Sequence, residues 1–150
     1  MEEKILVLDF GGQYNQLIAR RVREQHIYAE IIPYNKISVS EVKAAGYKGI
    51  IFTGGPNSVY EDETLRCDPE IFNLGIPVLG ICYGAQLMTY TLGGNVEACS
   101  TSEYGRTKVK VDPSFKFFEG LCEQQLVLMS HTDRITAMPE GFSLAASSED

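Results

Sequence analysis

A cysteine between two glycines is the strongest chemical signal in this sequence. Gly80, Cys82 and Gly84 follow an apolar run and precede a helical pattern. This G-x-C-x-G spacing is the thiol counterpart of the G-x-S-x-G nucleophile elbow, a tight turn that requires small residues beside the nucleophile. The start of a helix favours a negative charge, and the thiolate is the reactive form of cysteine. The spacing therefore predicts that Cys82 is a nucleophile.

Attack by a thiolate on a carbonyl group creates an oxyanion, which backbone N–H groups can stabilise. The N–H of Tyr83, directly after the nucleophile, is the first predicted donor. The second is expected from the Gly54–Gly55 pair, because glycine lets a backbone N–H approach a ligand closely. The alternative interpretation is a buried structural cysteine in a glycine-rich turn. That alternative leaves the flanking glycines and the second glycine loop unexplained, so we favour the nucleophile.

The other cysteines do not have this setting. Cys67, Cys99 and Cys122 lack a flanking pair of glycines, and we interpret them as structural or incidental. The chain has no C-x-x-C pair and only two histidines, His26 and His131, so no metal site is predicted. Free thiols in a reducing cytoplasm are the expectation.

The composition indicates one globular domain without a membrane span. The chain has 150 residues, of which 44% are hydrophobic and 22% charged. Its first residues, MEEKILVLDF, lack the basic start of a signal peptide, which again favours the cytoplasm. The formal net charge of -7 argues against nucleic acid as a partner, because phosphate binding needs a basic surface.

Strand and helix patterns alternate in the first part of the chain, which predicts an α/β fold with a mostly parallel sheet and helices on both faces. The predicted strands are Lys4–Phe10, Ala29–Pro33, Gly49–Thr53 and Pro77–Ile81. The predicted helical segments are Asn15–Gln25, a segment from the Ser38–Glu41 capping box to Gly46, Pro69–Leu74 and Gly84–Leu92.

The later part of the chain reads as strands alone, and we expect a mixed or antiparallel extension of the sheet. The candidates are Thr107–Val111, Gln125–Ser130 and Phe142–Ala146. Ligands of α/β sheets bind beyond the carboxyl ends of the strands. Three features are predicted there together: the Gly11–Gly12 pair, the Gly54–Pro56 segment and Cys82.

The residues around the cysteine resemble a known family. GICYGAQ (Gly80–Gln86) is similar to the nucleophile motif of class I glutamine amidotransferases, which implies a flavodoxin-like three-layer sandwich and a Cys-His-Glu triad. Further blocks resemble the amidotransferase domain of the GMP synthases, in the same order over nearly the whole chain. These blocks are LDFGGQYNQLIARRVRE (Leu8–Glu24), FTGGPNSVY (Phe52–Tyr60), DPEIFNLGIPVLGICYGAQLM (Asp68–Met88), EYGR (Glu103–Arg106) and MSHTD (Met129–Asp133).

The resemblance implies a reaction and a partner. Cys82 attacks the side-chain amide of glutamine, ammonia leaves, and water hydrolyses the thioester to glutamate. The ammonia serves an ATP-pyrophosphatase domain or subunit, which uses ATP and Mg²⁺ to amidate XMP to GMP, and any homodimer is expected to form through domains outside this chain. No cofactor is implied for the glutaminase domain. The implied oxyanion donors are Gly55 and Tyr83, and the implied glutamine-binding residues are Gly54, Gln86, Ser130, His131, Thr132 and Asp133.

The chain departs from the family pattern in three ways. Gly12 stands where many members have serine, and Thr132 stands where many have glycine, a residue that some backbone angles require. The family takes its His and Glu from a later H-P-E segment, and the chain ends at Asp150 without one. We therefore expect residues 1–150 to be a glutaminase domain that is incomplete at its C-terminus and hydrolyses glutamine weakly or not at all alone.

Two other interpretations of the resemblance stay open. One is an amidotransferase-like module that binds glutamine or a synthetase without chemistry. The other is the glutaminase of another pathway, such as anthranilate or carbamoyl phosphate synthesis. The DFGGQY and EYGR blocks argue against another pathway, and turn chemistry explains the S-H-T-D segment almost as well as glutamine binding does.

Overall fold

The computed structural model describes residues 3–56, 58–59 and 66–148, without the side chains of residues 99–103. The chain divides into two compact units, residues 1–91 and 92–150. Asn57 and Tyr60 of the FTGGPNSVY block lie outside the described residues, as do the side chains of Cys99 and Glu103.

The first unit is built on a parallel sheet with the strand order β2-β1-β3-β4. Its strands are β1 (Lys4–Asp9), β2 (Tyr28–Pro33), β3 (Gly49–Phe52) and β4 (Val78–Gly80). Its helices are α1 (Asn15–Arg23), α2 (Val39–Ala45) and α3 (Tyr83–Thr91), with a 3₁₀ helix over Pro69–Leu74. The predicted alternation of strands and helices is confirmed, with boundaries that differ by one or two residues.

Strand β1 forms the centre of the core because β2 and β3 pair with its two edges. Val7 and Leu8 are almost fully buried, and successive side chains of a strand point to opposite faces. Val7 packs with Ala19 of α1. Leu8 lines a cavity together with Val42 of α2. Helices thus cover both faces of the sheet, as the sequence predicts.

Helix α2 begins with the predicted capping box. The backbone N–H of Glu41 donates to Ser38 Oγ at 3.3 Å, and the N–H of Ser38 donates to Glu41 Oε2 at 2.8 Å. The hydrogen bonds from the side chain and backbone of Ser38 lower the pKa of the Glu41 carboxyl, because they favour its charged form. Gly46 ends the helix at a φ of 72°.

Replacing the cap is expected to weaken α2 measurably. Ser38→Ala should lower the free energy of unfolding by about 1 kcal/mol at neutral pH, because helix N–H groups lose their acceptor. A lowered carboxyl pKa stabilises the fold above its ordinary value, and this contribution is lost as pH falls through the lowered value. Urea denaturation at pH 7 and pH 3 should therefore show a smaller difference in acid. Ser40→Ala, which keeps the Ser38–Glu41 pair, is the control, and an equal loss there would contradict the assignment.

The second unit contains a separate antiparallel sheet with the strand order β6-β5-β7. Its strands are β5 (Asn95–Val111), β6 (Gln124–Ala137) and β7 (Ala146–Ser148), with a 3₁₀ helix over Lys116–Phe118. The predicted strands Thr107–Val111 and Gln125–Ser130 lie within β5 and β6. Val109 and Val111 are buried while Lys108 and Lys110 are exposed, so the predicted alternation of β5 is confirmed.

The predicted strand over Phe142–Ala146 is wrong in position. The strand begins at Ala146 instead, where β7 pairs with the end of β5. Phe142 donates its N–H to Pro139 O at 3.3 Å in a turn. Phe142 and Leu144 both stay exposed, so their alternation in the sequence does not reflect a buried strand face. Among the helices of the described residues, none is long and apolar enough to cross a membrane.

Candidate active site

Cys82 lies on the turn between β4 and α3 with an exposed, free thiol. Its φ is 53°, in the left-handed region, which costs a residue with a Cβ about 1–2 kcal/mol. Among the described residues other than glycine, only His26 shares a positive φ, at the end of α1. The predicted strand-to-helix turn at Cys82 is confirmed, and its strained backbone is typical of a nucleophile elbow.

Backbone hydrogen bonds hold this elbow against β3. Ile81 donates its N–H to Phe52 O at 3.0 Å, and Gly84 donates to Thr53 O at 3.0 Å. The carbonyl of Cys82 accepts from Ala85 N at 3.0 Å and from Gln86 N at 3.2 Å, which starts the hydrogen bonding of α3. The strained residue is therefore fixed on both sides.

The glycines on either side of Cys82 are required by space. A Cβ at Gly80 would lie 2.6 Å from Ala85 Cα. A Cβ at Gly84 would overlap the carbonyl oxygen of Phe52 and lie 2.6 Å from its Cβ. Neither glycine has a positive φ. The G-x-C-x-G spacing thus reflects how closely α3 starts against β3 and the end of β4.

The second glycine segment lies directly beside the elbow. A Cβ at Gly54 would be 3.7 Å from Cys82 Cβ, an ordinary contact. A Cβ at Gly55 would be 2.9 Å from Phe10 O and 3.1 Å from Tyr83 Cδ1, which is too close. The structure thus brings Gly54, Gly55, Cys82 and Tyr83 together, as the sequence predicts.

The turn after β1 packs against the same segment. A Cβ at Gly12 would lie 2.6 Å from Gly54 O, so a serine here would require the backbone to shift. A Cβ at Gly11, where φ is 90°, would lie 3.5 Å from Pro56 Cδ. Asp9 Oδ1 accepts from Gly11 N at 2.6 Å and also from the side-chain amide of Asn15. All three predicted features converge at the carboxyl ends of β1, β3 and β4.

Thr53 joins these segments, and the sequence reasoning did not select it. The residue is fully buried at the end of β3. Its hydroxyl accepts from Phe10 N at 3.2 Å and donates to Gly54 O at 3.1 Å. Its N–H donates to Leu8 O at 3.2 Å, and its carbonyl accepts from Gly84 N at 3.0 Å. The available sequence signal was a hydroxyl residue between an apolar strand and a glycine pair.

The remaining predicted residues lie on two elements. Gln86 is half-buried in α3, and Ser130–Asp133 lie in β6 of the second unit. Asp133 is buried, and Thr132 Oγ1 lies 3.4 Å from its Oδ1. Thr132 has no positive φ, so its backbone does not require the glycine that many family members carry there.

Burial distinguishes the described thiols. Burial raises the pKa of the Cys67 thiol to about 11. Cys82 and Cys122 are exposed, and all three are free cysteines. In the described parts of the chain, no group of three or more His, Cys, Asp or Glu residues could hold a metal ion.

Cys82 is expected to react first with an alkylating agent. A thiol with a pKa of about 11 is only roughly 0.1% thiolate at pH 8, so Cys67 should be labelled at least about tenfold more slowly than Cys82. Cys122 is an exposed comparison without a helix start. The measurement is mass-spectrometric mapping after brief iodoacetamide treatment, with Cys82→Ala as the control for the assigned peptide. Earlier labelling of Cys67, Cys99 or Cys122 would contradict the elbow assignment.

Comparison with known proteins agrees with this geometry. The family model described as glutamine amidotransferase class-I matches residues 6–150. The chain belongs to this family. A class I amidotransferase domain accounts for the parallel sheet and for the elbow thiol at its carboxyl edge.

The amidotransferase is similar to curated proteins named GMP synthase [glutamine-hydrolyzing]. It is 56% identical over 149 residues to that of Lactobacillus gasseri and 57% identical over 147 residues to that of Clostridium novyi. These matches cover 99% and 98% of the amidotransferase. It spans only 29% and 28% of the length of these relatives.

Solved structures share the fold of the amidotransferase. A GMP synthase subunit protein from Thermoplasma acidophilum is 34% identical with a TM-score of 0.84, and the match covers 99% of this chain and 74% of that one. A glutamine amidotransferase from Thermotoga maritima is 23% identical with a TM-score of 0.75, over 99% of this chain and 68% of that one. The second likeness concerns the fold alone. The predicted α/β amidotransferase fold is confirmed.

Proposed function

We propose that this chain is the glutaminase part of a GMP synthase, which hydrolyses glutamine through a thioester on Cys82. The observation that carries the proposal is the exposed Cys82 thiol, held at a φ of 53° beside the Gly54–Gly55 segment. Membership of the class I amidotransferase family and the names of the relatives support it.

The proposed reaction follows from a thiolate beside backbone donors. The sulfur of Cys82 forms a bond to the side-chain amide carbon of glutamine, and the amide oxygen becomes an oxyanion. The N–H groups of Gly55 and Tyr83 stabilise this oxyanion. Protonation of the amide nitrogen lets ammonia leave, and the carbonyl reforms as a thioester. Water then hydrolyses the thioester, which releases glutamate and restores the thiol.

Substrate binding and proton transfer are assigned from the resemblance. Gly54 and Gln86, which belong to the first unit, are assigned to glutamine binding. The same role for Ser130, His131, Thr132 and Asp133 rests on the sequence alone. We assign the proton transfers to the His and Glu of an H-P-E segment, as in the family.

The released ammonia is proposed to serve a synthetase domain or subunit. That partner is an ATP-pyrophosphatase, which uses ATP and Mg²⁺ to amidate XMP to GMP, and we place both in the cytoplasm. The support is that the relatives named GMP synthase are longer, since the chain spans 29% of the Lactobacillus gasseri protein. ATP and Mg²⁺ belong to the partner in this proposal.

The test is to follow the amide nitrogen of glutamine in the intact protein. Glutamine labelled with ¹⁵N in its side chain should yield glutamate and labelled ammonia, and with ATP, Mg²⁺ and XMP the label should appear in GMP. Glutamine labelled in the α-amino group is the matched control, because that label stays in glutamate. Binding without hydrolysis would favour a non-catalytic module, and hydrolysis without labelled GMP would favour an amidotransferase of another pathway.

A further inference from the structure

The orientation of one peptide unit decides whether the Gly54–Gly55 segment can donate to an oxyanion. A peptide bond is planar and trans, so the carbonyl of Gly54 and the N–H of Gly55 point in opposite directions. Whatever holds the Gly54 carbonyl therefore also sets the direction of the Gly55 N–H. Glycine on both sides of this peptide leaves its orientation weakly restricted by sterics alone.

The group that holds the Gly54 carbonyl is the hydroxyl of Thr53. This hydroxyl donates to Gly54 O at 3.1 Å and accepts from Phe10 N at 3.2 Å. Thr53 is fully buried, so water does not compete for these hydrogen bonds. The hydroxyl has one proton, and the bond from Phe10 directs that proton towards Gly54.

The anchor itself is fixed to the sheet and to the elbow. The N–H of Thr53 donates to Leu8 O at 3.2 Å, and its carbonyl accepts from Gly84 N at 3.0 Å. Thr53 is thus bonded through its backbone to β1 and to the first turn of α3. The Gly54 peptide is held by a residue that is also tied to the elbow that presents Cys82.

We propose that Thr53 is a positioning residue for glutamine hydrolysis, whose hydroxyl fixes the Gly54–Gly55 peptide so that the Gly55 N–H faces away from the core as an oxyanion donor. This inference rests on the proposed function. It extends the site by a residue that touches neither substrate nor Cys82 and acts through the orientation of one peptide. Without the hydroxyl, the peptide can rotate and the donor is absent for part of the time.

The test compares Thr53→Val with Thr53→Ser in the intact protein. Valine keeps the shape and removes the hydroxyl, whereas serine keeps the hydroxyl. Loss of one oxyanion donor costs about 10²–10³-fold in kcat, so partial loss of orientation in Thr53→Val should lower kcat by about 10–100-fold. The KM for glutamine should change less than kcat, because the donor acts mainly in the transition state. Thr53→Ser should restore kcat.

Two further measurements distinguish positioning from a general loss of structure. Alkylation of Cys82 by iodoacetamide forms no oxyanion, so its rate should be the same in Thr53→Val and wild type if the elbow is intact. The Phe10 amide should exchange its hydrogen about tenfold faster in Thr53→Val, since its acceptor is gone. Thr89→Val is the matched control, because Thr89 is buried in α3 and its hydroxyl donates to Ala85 O at 2.8 Å, away from the glycine loop.

Each outcome decides the proposal. A normal kcat in Thr53→Val, an unrestored kcat in Thr53→Ser, or an equal loss in Thr89→Val would overturn it while leaving the proposed function intact. A parallel fall in kcat and in the iodoacetamide rate would make Thr53 a structural residue only. Wild-type protein that does not hydrolyse glutamine would overturn the proposed function and this inference together.

Discussion

Cys82→Ala in the intact protein is expected to reduce glutamine hydrolysis by about 10⁴-fold or more, because no other group can form the thioester. The structure places this thiol on a strained, exposed elbow at a φ of 53°. The backbone donors are retained in the variant, so glutamine should still bind. Steady-state release of glutamate is the measurement, and isothermal titration with glutamine checks binding.

Two comparisons make this result specific. Cys122→Ala removes another exposed thiol that is not on an elbow, and its activity should equal that of the wild type. Ammonium salt supplied with ATP, Mg²⁺ and XMP should still be converted to GMP by Cys82→Ala, because the synthetase reaction uses ammonia from any source. Normal hydrolysis in Cys82→Ala would move the nucleophile elsewhere and overturn the proposed chemistry.

Gly84→Ala is expected to have the largest effect on stability among single methyl additions in this part of the chain. The new Cβ would overlap the Phe52 carbonyl oxygen and lie 2.6 Å from Phe52 Cβ. Phe52 is fully buried and its carbonyl accepts from Ile81 N, so neither group can move without disturbing β3 or the elbow. Overpacking of this kind should lower the free energy of unfolding by about 3 kcal/mol or more.

The matched control separates lack of space from backbone strain. Gly75→Ala places a Cβ at a φ of 69° with nothing within 4 Å, so its cost is that of the left-handed conformation, about 1–2 kcal/mol. Urea denaturation of both variants beside the wild type measures the two effects. Equal losses would show that α3 shifts to accept the methyl group, and the spacing argument for Gly84 would then be wrong.

The chemistry of Cys82 could be predicted because its signals are local in the sequence. A strand, a cysteine flanked by glycines and a helix occupy about ten consecutive residues, and an elbow follows from that order. The same holds for the capping box at Ser38 and Glu41, which spans one helical turn. The alternation in Thr107–Val111 also predicted its strand, because Val109 and Val111 are buried.

Patterns without a buried face were less reliable. The alternating segment from Phe142 reads as a strand, but Phe142 and Leu144 are exposed and the strand begins at Ala146. Periodicity predicts structure only where burial of one face produces it. The arrangement of β5, β6 and β7 as a separate sheet depends on pairing between distant residues, which a local pattern does not specify.

The sequence by itself determined the nucleophile, the two glycine segments and the α/β class, since each depends on residue types that are close along the chain. The tertiary structure alone decided why the glycines are needed and which residue holds the donor peptide. Gly84 meets Phe52, and the hydroxyl of Thr53 meets Phe10, across more than thirty and forty positions of the chain. Such contacts arise from strand order and close packing, because parallel strands bring distant segments together at one edge of the sheet.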